Sequence, residues 1–106
     1  MNEKLTEEQK QILKGCLWDY RITPQEFYDV LSGQSTPKWP TKAWCVARLI
    51  NYVNWYNIVK IFKPEEVCAL WTPEARRLVR GKYLIEGMDF ACRFLQIHTG
   101  SLSHTG

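Results

Sequence analysis

Reactive chemistry in this chain would have to come from four cysteines, two histidines and a few paired acids. Cys16, Cys45, Cys68 and Cys92 are widely separated, and no two form a Cys-x-x-Cys pair. A thiol attacks or ligates as its thiolate, which a cationic or metal neighbour favours. Each cysteine here sits among apolar residues at helical spacing, which predicts four reduced, buried thiols behaving as small hydrophobes. A disulfide or metal framework is the disfavoured alternative. His98 and His104 both fall in the C-terminal tail, so the commonest general base is missing from the core. Cys92 and His98 match no standard zinc spacing. The pairs Glu7-Glu8 and Glu65-Glu66 occupy first turns of helices, where the helix dipole explains them. There is no Gly-rich phosphate loop and no nucleophile elbow. The expectation is a protein that is not an enzyme, with no catalytic residue, metal or cofactor to name.

Recognition chemistry is better represented. Trp44, Arg48, Asn51 and Trp55 recur at i, i+4, i+7 and i+11, which places them on one helical face. An arginine between two indoles stacks on their rings and can still present its planar fork to an acidic group. Trp and Arg are also favoured anchors of protein interfaces. The competing structural reading is a helix buried on two sides, with Arg48 paired to a carboxylate such as Asp19. Asp19 stands between Trp18 and Tyr20, and suits a turn or an arginine pair. With Trp39 these residues form the expected contact set for a protein partner or a second copy of the chain: Trp18, Asp19, Tyr20, Trp39, Trp44, Arg48, Asn51 and Trp55.

A second group is basic: Arg76, Arg77, Arg80 and Lys82. Cations near a helix C-terminus offset its dipole. The functional alternative is an anion or nucleic-acid phosphate contact, weakened by nearby Glu74, Glu86 and Asp89. The segment Leu31-Ser32-Gly33-Gln34-Ser35 has the look of a helix-turn-helix turn, but Pro40 would break the recognition helix that should follow. The overall charge, +3, does not by itself indicate nucleic-acid binding.

The elements that must hold these groups are helices. Thr6-Glu7-Glu8-Gln9 and Thr23-Pro24-Gln25-Glu26 read as capping boxes. Ile12, Leu13, Cys16, Leu17 and Tyr20 form the apolar face of the first helix, and Phe27, Tyr28, Val30 and Leu31 that of the second, which Gly33 ends in the left-handed conformation. A loop from Gly33 to Thr41 carries Trp39 between Pro37 and Pro40. A third helix starts near Lys42, and Asn54 breaks it or caps Trp55 to Phe62. Pro64 and Pro73 open two short helices, the second capped by Thr72. A last helix runs from Lys82 to about Ile97. No segment alternates as a strand. The expectation is therefore all-α, a compact array of six to seven short, mostly antiparallel helices, with one helical domain over 1–97 and a disordered tail over 98–106.

The length of 106 residues suits one domain, and 13% aromatic content supplies a firm core. No apolar run reaches the length of a membrane span, and Met1-Asn2-Glu3-Lys4 lacks the apolar region of a signal peptide. With reduced thiols, this points to the cytoplasm.

The order of features also resembles a known group. Leu17-Trp18-Asp19-Tyr20 ends the first helix, and Pro24-Gln25-Glu26-Phe27-Tyr28 opens the second. A Trp-bearing loop follows, then Asn54-Trp55-Tyr56, Thr72-Pro73-Glu74 and Asp89-Phe90-Ala91-Cys92-Arg93-Phe94-Leu95. Over residues 5–96 this resembles small bacterial all-helical proteins with an "LWD" first helix, some of them encoded beside nucleotidyltransferase-like toxins. The resemblance implies an antitoxin-like companion of a larger protein. The chain departs from a typical antitoxin in lacking an evident DNA-binding element and a long acidic arm.

Overall fold

The structure is a computed structural model that describes the backbone of residues 5–104 and the side chains of residues 5–95. Among the described residues there are seven helices and no strand: α1 (Glu7–Cys16), α2 (Pro24–Leu31), α3 (Lys42–Tyr52), α4 (Trp55–Ile58), α5 (Pro64–Leu70), α6 (Pro73–Leu78) and α7 (Lys82–His104). The all-α expectation holds.

Local chemistry sets the boundaries. Thr6 and Thr23 each accept the backbone N–H three residues on, while Gln9 and Glu26 reach back to the cap N–H, at 2.9 Å in both boxes. The Thr23 bonds hold the Glu26 carboxyl below its usual pKa. Thr41, Asn54 and Thr72 cap α3, α4 and α6 in the same way. The end of α2 is a Schellman motif: Gly33 N–H donates to the Val30 carbonyl and Gln34 N–H to that of Asp29. Gly33 adopts φ 85°, which costs a side-chain-bearing residue far more.

The hub is α3. Cys45, Val46, Ala47, Leu49 and Ile50 are all buried, an apolar arc wide enough to meet α1, α2 and α6 at once. Leu13 and Cys16 of α1, and Phe27, Val30 and Leu31 of α2, close one side. Ile58, Phe62, Val67, Ala75 and Val79 close the other, with Tyr28 stacked on Phe62. Each fully buried Leu, Ile or Phe contributes about 1.5–3 kcal/mol.

Three expectations are corrected. Cys68 and Cys92 are joined in a disulfide, with Cα atoms 5.4 Å apart, so only Cys16 and Cys45 are buried free thiols. The bridge forms where α5 packs on α7, a tertiary contact that spacing along the chain does not reveal. It also removes the thiol argument for a reducing compartment. What stands is that, among the described residues, no helix is long and apolar enough to cross a membrane. Second, the stretch expected to be a disordered tail is helical through His104. No proline interrupts it, Gly100 costs only about 1 kcal/mol, and a nucleated helix gains one hydrogen bond per added residue. Residues 105–106 of that tail lie outside the described residues. Third, α3 stops at Tyr52, so Trp55 belongs to α4 and leaves the face of Trp44, Arg48 and Asn51.

Candidate functional site

Arg48 organises the most distinctive surface of the molecule. It projects from the middle of α3 toward the turn after α1. Its Nε donates to the Cys16 carbonyl at 2.7 Å, and its guanidinium forms an ion pair with Asp19. That carbonyl lies in the last turn of α1, where a cation is favoured. Three aromatic rings then surround the guanidinium. The Tyr52 centroid lies 4.1 Å from its central carbon, Tyr20 lies 5.0 Å away and Trp44 5.8 Å. Trp39 folds back from the loop to complete the cluster, 5.0 Å from Trp44 and 5.7 Å from Tyr20 between ring centroids.

The cluster therefore joins two readings that the sequence left as alternatives. Arg48 is the arginine paired to Asp19, with only 10% of its side chain exposed. Tyr20 and Tyr52, packed on it, and Trp39, packed on Tyr20 and Trp44, still keep large exposed surfaces. A groove of about 470 Å³ opens beside them, bounded across from Arg48 by Leu78, Arg80 and Leu84. Asn51 fixes its far wall by accepting the Arg80 N–H at 3.2 Å.

Other sequence-selected residues lie elsewhere. Trp18 points to solvent, 74% exposed, and has no ring contact within this cluster. Trp55 lines a neighbouring apolar groove with Ile58, Tyr83 and Gly87. Leu84 borders both grooves, so the two form one continuous surface.

The basic group does not form one patch. Arg76 is committed to Asp89, with Nε at 3.1 Å and Nη2 at 2.8 Å from the same oxygen. Asp89 also accepts from the Trp71 indole at 2.8 Å. The Arg76 and Trp71 bonds hold its carboxyl below the usual range, and the same pairing raises Arg76. Arg77 turns back to the Pro73 carbonyl at 3.3 Å. Lys82 lies 3.9 Å from Glu86. Helix α6 ends before Arg80, whose side chain instead borders the Arg48 groove.

Chemically reactive groups are scarce among the described residues. Burial pushes the Cys16 thiol up to about 11 and Cys45 up to about 12, so neither supplies a thiolate near neutrality. No group of three or more His, Cys, Asp or Glu side chains is placed to hold a metal ion, among the described residues. Sequence reasoning missed Tyr52, the ring nearest Arg48. Its signal was present, since it lies four residues after Arg48 and so shares its face. Leu78 and Arg80 carried no such signal, because they reach the groove through the α3–α6 packing.

No family model, curated protein or solved structure matches the chain.

Proposed function

We propose that the protein is a non-enzymatic protein-binding module whose contact surface is the aromatic patch around Arg48. The carrying observation is that Tyr20 and Tyr52 stay broadly exposed although they are packed against a fixed guanidinium, as does Trp39, which packs on Tyr20 and Trp44. Their positions are set by the Asp19–Arg48 pair and the Cys16 carbonyl, so little side-chain freedom remains to be lost on binding. Aromatic anchors ringed by polar groups are the composition of interface hot spots.

The patch also suggests what it takes. Arg80 borders the groove with no ion pair of its own among the described residues, whereas the Arg48 charge is already met by Asp19. A complementary partner segment presents an apolar or aromatic side chain to the groove and a carboxylate to Arg80. This agrees with the antitoxin-like companion role, in a bacterial setting, that the sequence resemblance implies.

The test is affinity capture of the tagged chain from lysate of its source, with and without nuclease, read by mass spectrometry. One stoichiometric protein, retained after nuclease and lost with Tyr52→Ala or Arg80→Glu, is the expected outcome. Capture dominated by nucleic-acid proteins and abolished by nuclease would move the function to Arg77, Arg80 and Lys82. A partner indifferent to both substitutions would place binding elsewhere.

A further inference from the structure

The long helix α7 is attached to the rest of the molecule by one face. Met88 is buried, Ile85 and Cys92 pack on the core, Asp89 is tied to Trp71 and Arg76, and Cys92 is bridged to Cys68. The opposite face holds Tyr83, Gly87, Phe90 and Phe94. Their spacing is four, three and four residues, the heptad rhythm of a helix that packs against another helix. Tyr83 is 90% exposed and Phe90 61%, although both are large aromatics. Gly87 stands between them, and a Cβ added there would meet nothing within 4 Å. A seam of bulky rings with one open position is a shape into which a ring can be set.

We infer that α7 is a homodimerisation helix, packing antiparallel on α7 of a second copy with Phe90 of each chain seated over Gly87 of the other. The occupant is identified by self-complementarity. Setting Gly87 opposite the second copy's Phe90 brings Tyr83 opposite Phe94, an aromatic pair, and the two-fold axis repeats both layers. On one flank of the seam this register places Glu86 beside Arg93 of the other copy, again twice. On the other flank it places Leu84 beside Ala91, both apolar. A parallel arrangement also stacks rings, but it sets glycine against glycine and leaves Glu86 and Arg93 without opposite charges across the seam. Among the described residues of one chain Glu86 has only the loose 3.9 Å contact with Lys82, so it can turn to a stronger partner. The groove of about 400 Å³ between α4 and α7 runs along the same side of Gly87 and receives the edge of the incoming helix. This surface adjoins the Arg48 groove at Leu84 but uses neither Arg48 nor the rings around it, so the inference stands or falls without the proposed function.

Sedimentation equilibrium of the oxidised full chain tests the inference, with circular dichroism confirming that each variant is folded. The wild type is expected to dimerise at micromolar concentrations. Gly87→Leu fills the seat on both copies and weakens the dimer by roughly hundredfold. The same change raises the thermal midpoint of the monomer by roughly 4 °C, because leucine replaces glycine inside a helix where space is open. Loss of dimer therefore cannot be mistaken for loss of fold. Glu86→Arg and Arg93→Glu each weaken self-association by roughly tenfold. Mixed together, the two variants associate more tightly than either alone, because both 86–93 pairs across the seam then join opposite charges. A wild type that stays monomeric at high micromolar concentration overturns the inference. So does a dimer untouched by Gly87→Leu, or a mixture of the two charge variants that associates no better than its components.

Discussion

The Arg48 guanidinium bonds the Cys16 carbonyl and the Asp19 carboxylate together, so one side chain from α3 fixes both the end of α1 and the turn that follows it. The two partners are unequally exposed, at 10% of the side chain for Arg48 and 34% for Asp19. The cost of losing each therefore differs. Removing Asp19 strands a nearly buried cation, whereas removing Arg48 leaves a carboxylate that reaches water.

Asp19→Ala is accordingly expected to destabilise the fold by about 1–2 kcal/mol, the exposure of Asp19 keeping the cost below that of a fully buried pair. On an Arg48→Met background the same substitution should cost little, since the cation it neutralised is gone. Urea denaturation of the four proteins measures the coupling. Equal costs on both backgrounds would mean that the pair contributes nothing to stability.

The thiols give a count and a pH dependence. A thiol reagent near neutral pH should find almost no reactive group in the native chain, two after denaturation and four after denaturation with reductant. Cys16 and Cys45 hold their protons up to about 11 and about 12 when folded, against an ordinary 9.0. Both folded values are raised, so the associated stability is complete below pH 9 and is lost as the pH climbs toward 11 and 12. Cys45→Ala should flatten that alkaline decline in thermal melts. Four reactive thiols in the denatured, unreduced chain would contradict the bridge.

Tryptophan accessibility divides the five indoles. Trp18, Trp39 and Trp55 are exposed, while Trp44 and Trp71 are half-buried, the latter with its N–H held by Asp89. Iodide quenching should resolve an accessible and a protected class. Trp18→Phe should remove more of the accessible class than Trp55→Phe, because Trp18 is the more exposed. Uniform protection of all five would contradict the exposed patch.

Much of the fold was legible because its signals are local. Thr6, Thr23 and Thr72 announce their helices through a hydroxyl within reach of an N–H three residues on, and Gly33 announces an end through its backbone freedom. The half of the site on α3 was legible for the same reason, since Trp44, Arg48 and Asn51 share a helical face. Asp19 was readable as Arg48's partner because few carboxylates sit in so aromatic a setting. The rest depended on packing between distant segments. Cys68 meets Cys92 only because α5 lies on α7, and Arg80 reaches the groove only because α6 ends two residues earlier. Asn54 is an N-cap that splits one apolar run into two helices, which is why Trp55 left the stripe that spacing had assigned to it.

Hydroxyl-radical footprinting of the chain, alone and bound to its captured partner, addresses the binding surface most directly. Modification of Tyr20, Trp39 and Tyr52 is expected to fall several-fold on binding, while Trp18 stays as reactive as before. Unchanged modification of those three rings, with protection confined to other residues, would contradict a partner seated on the Arg48 patch.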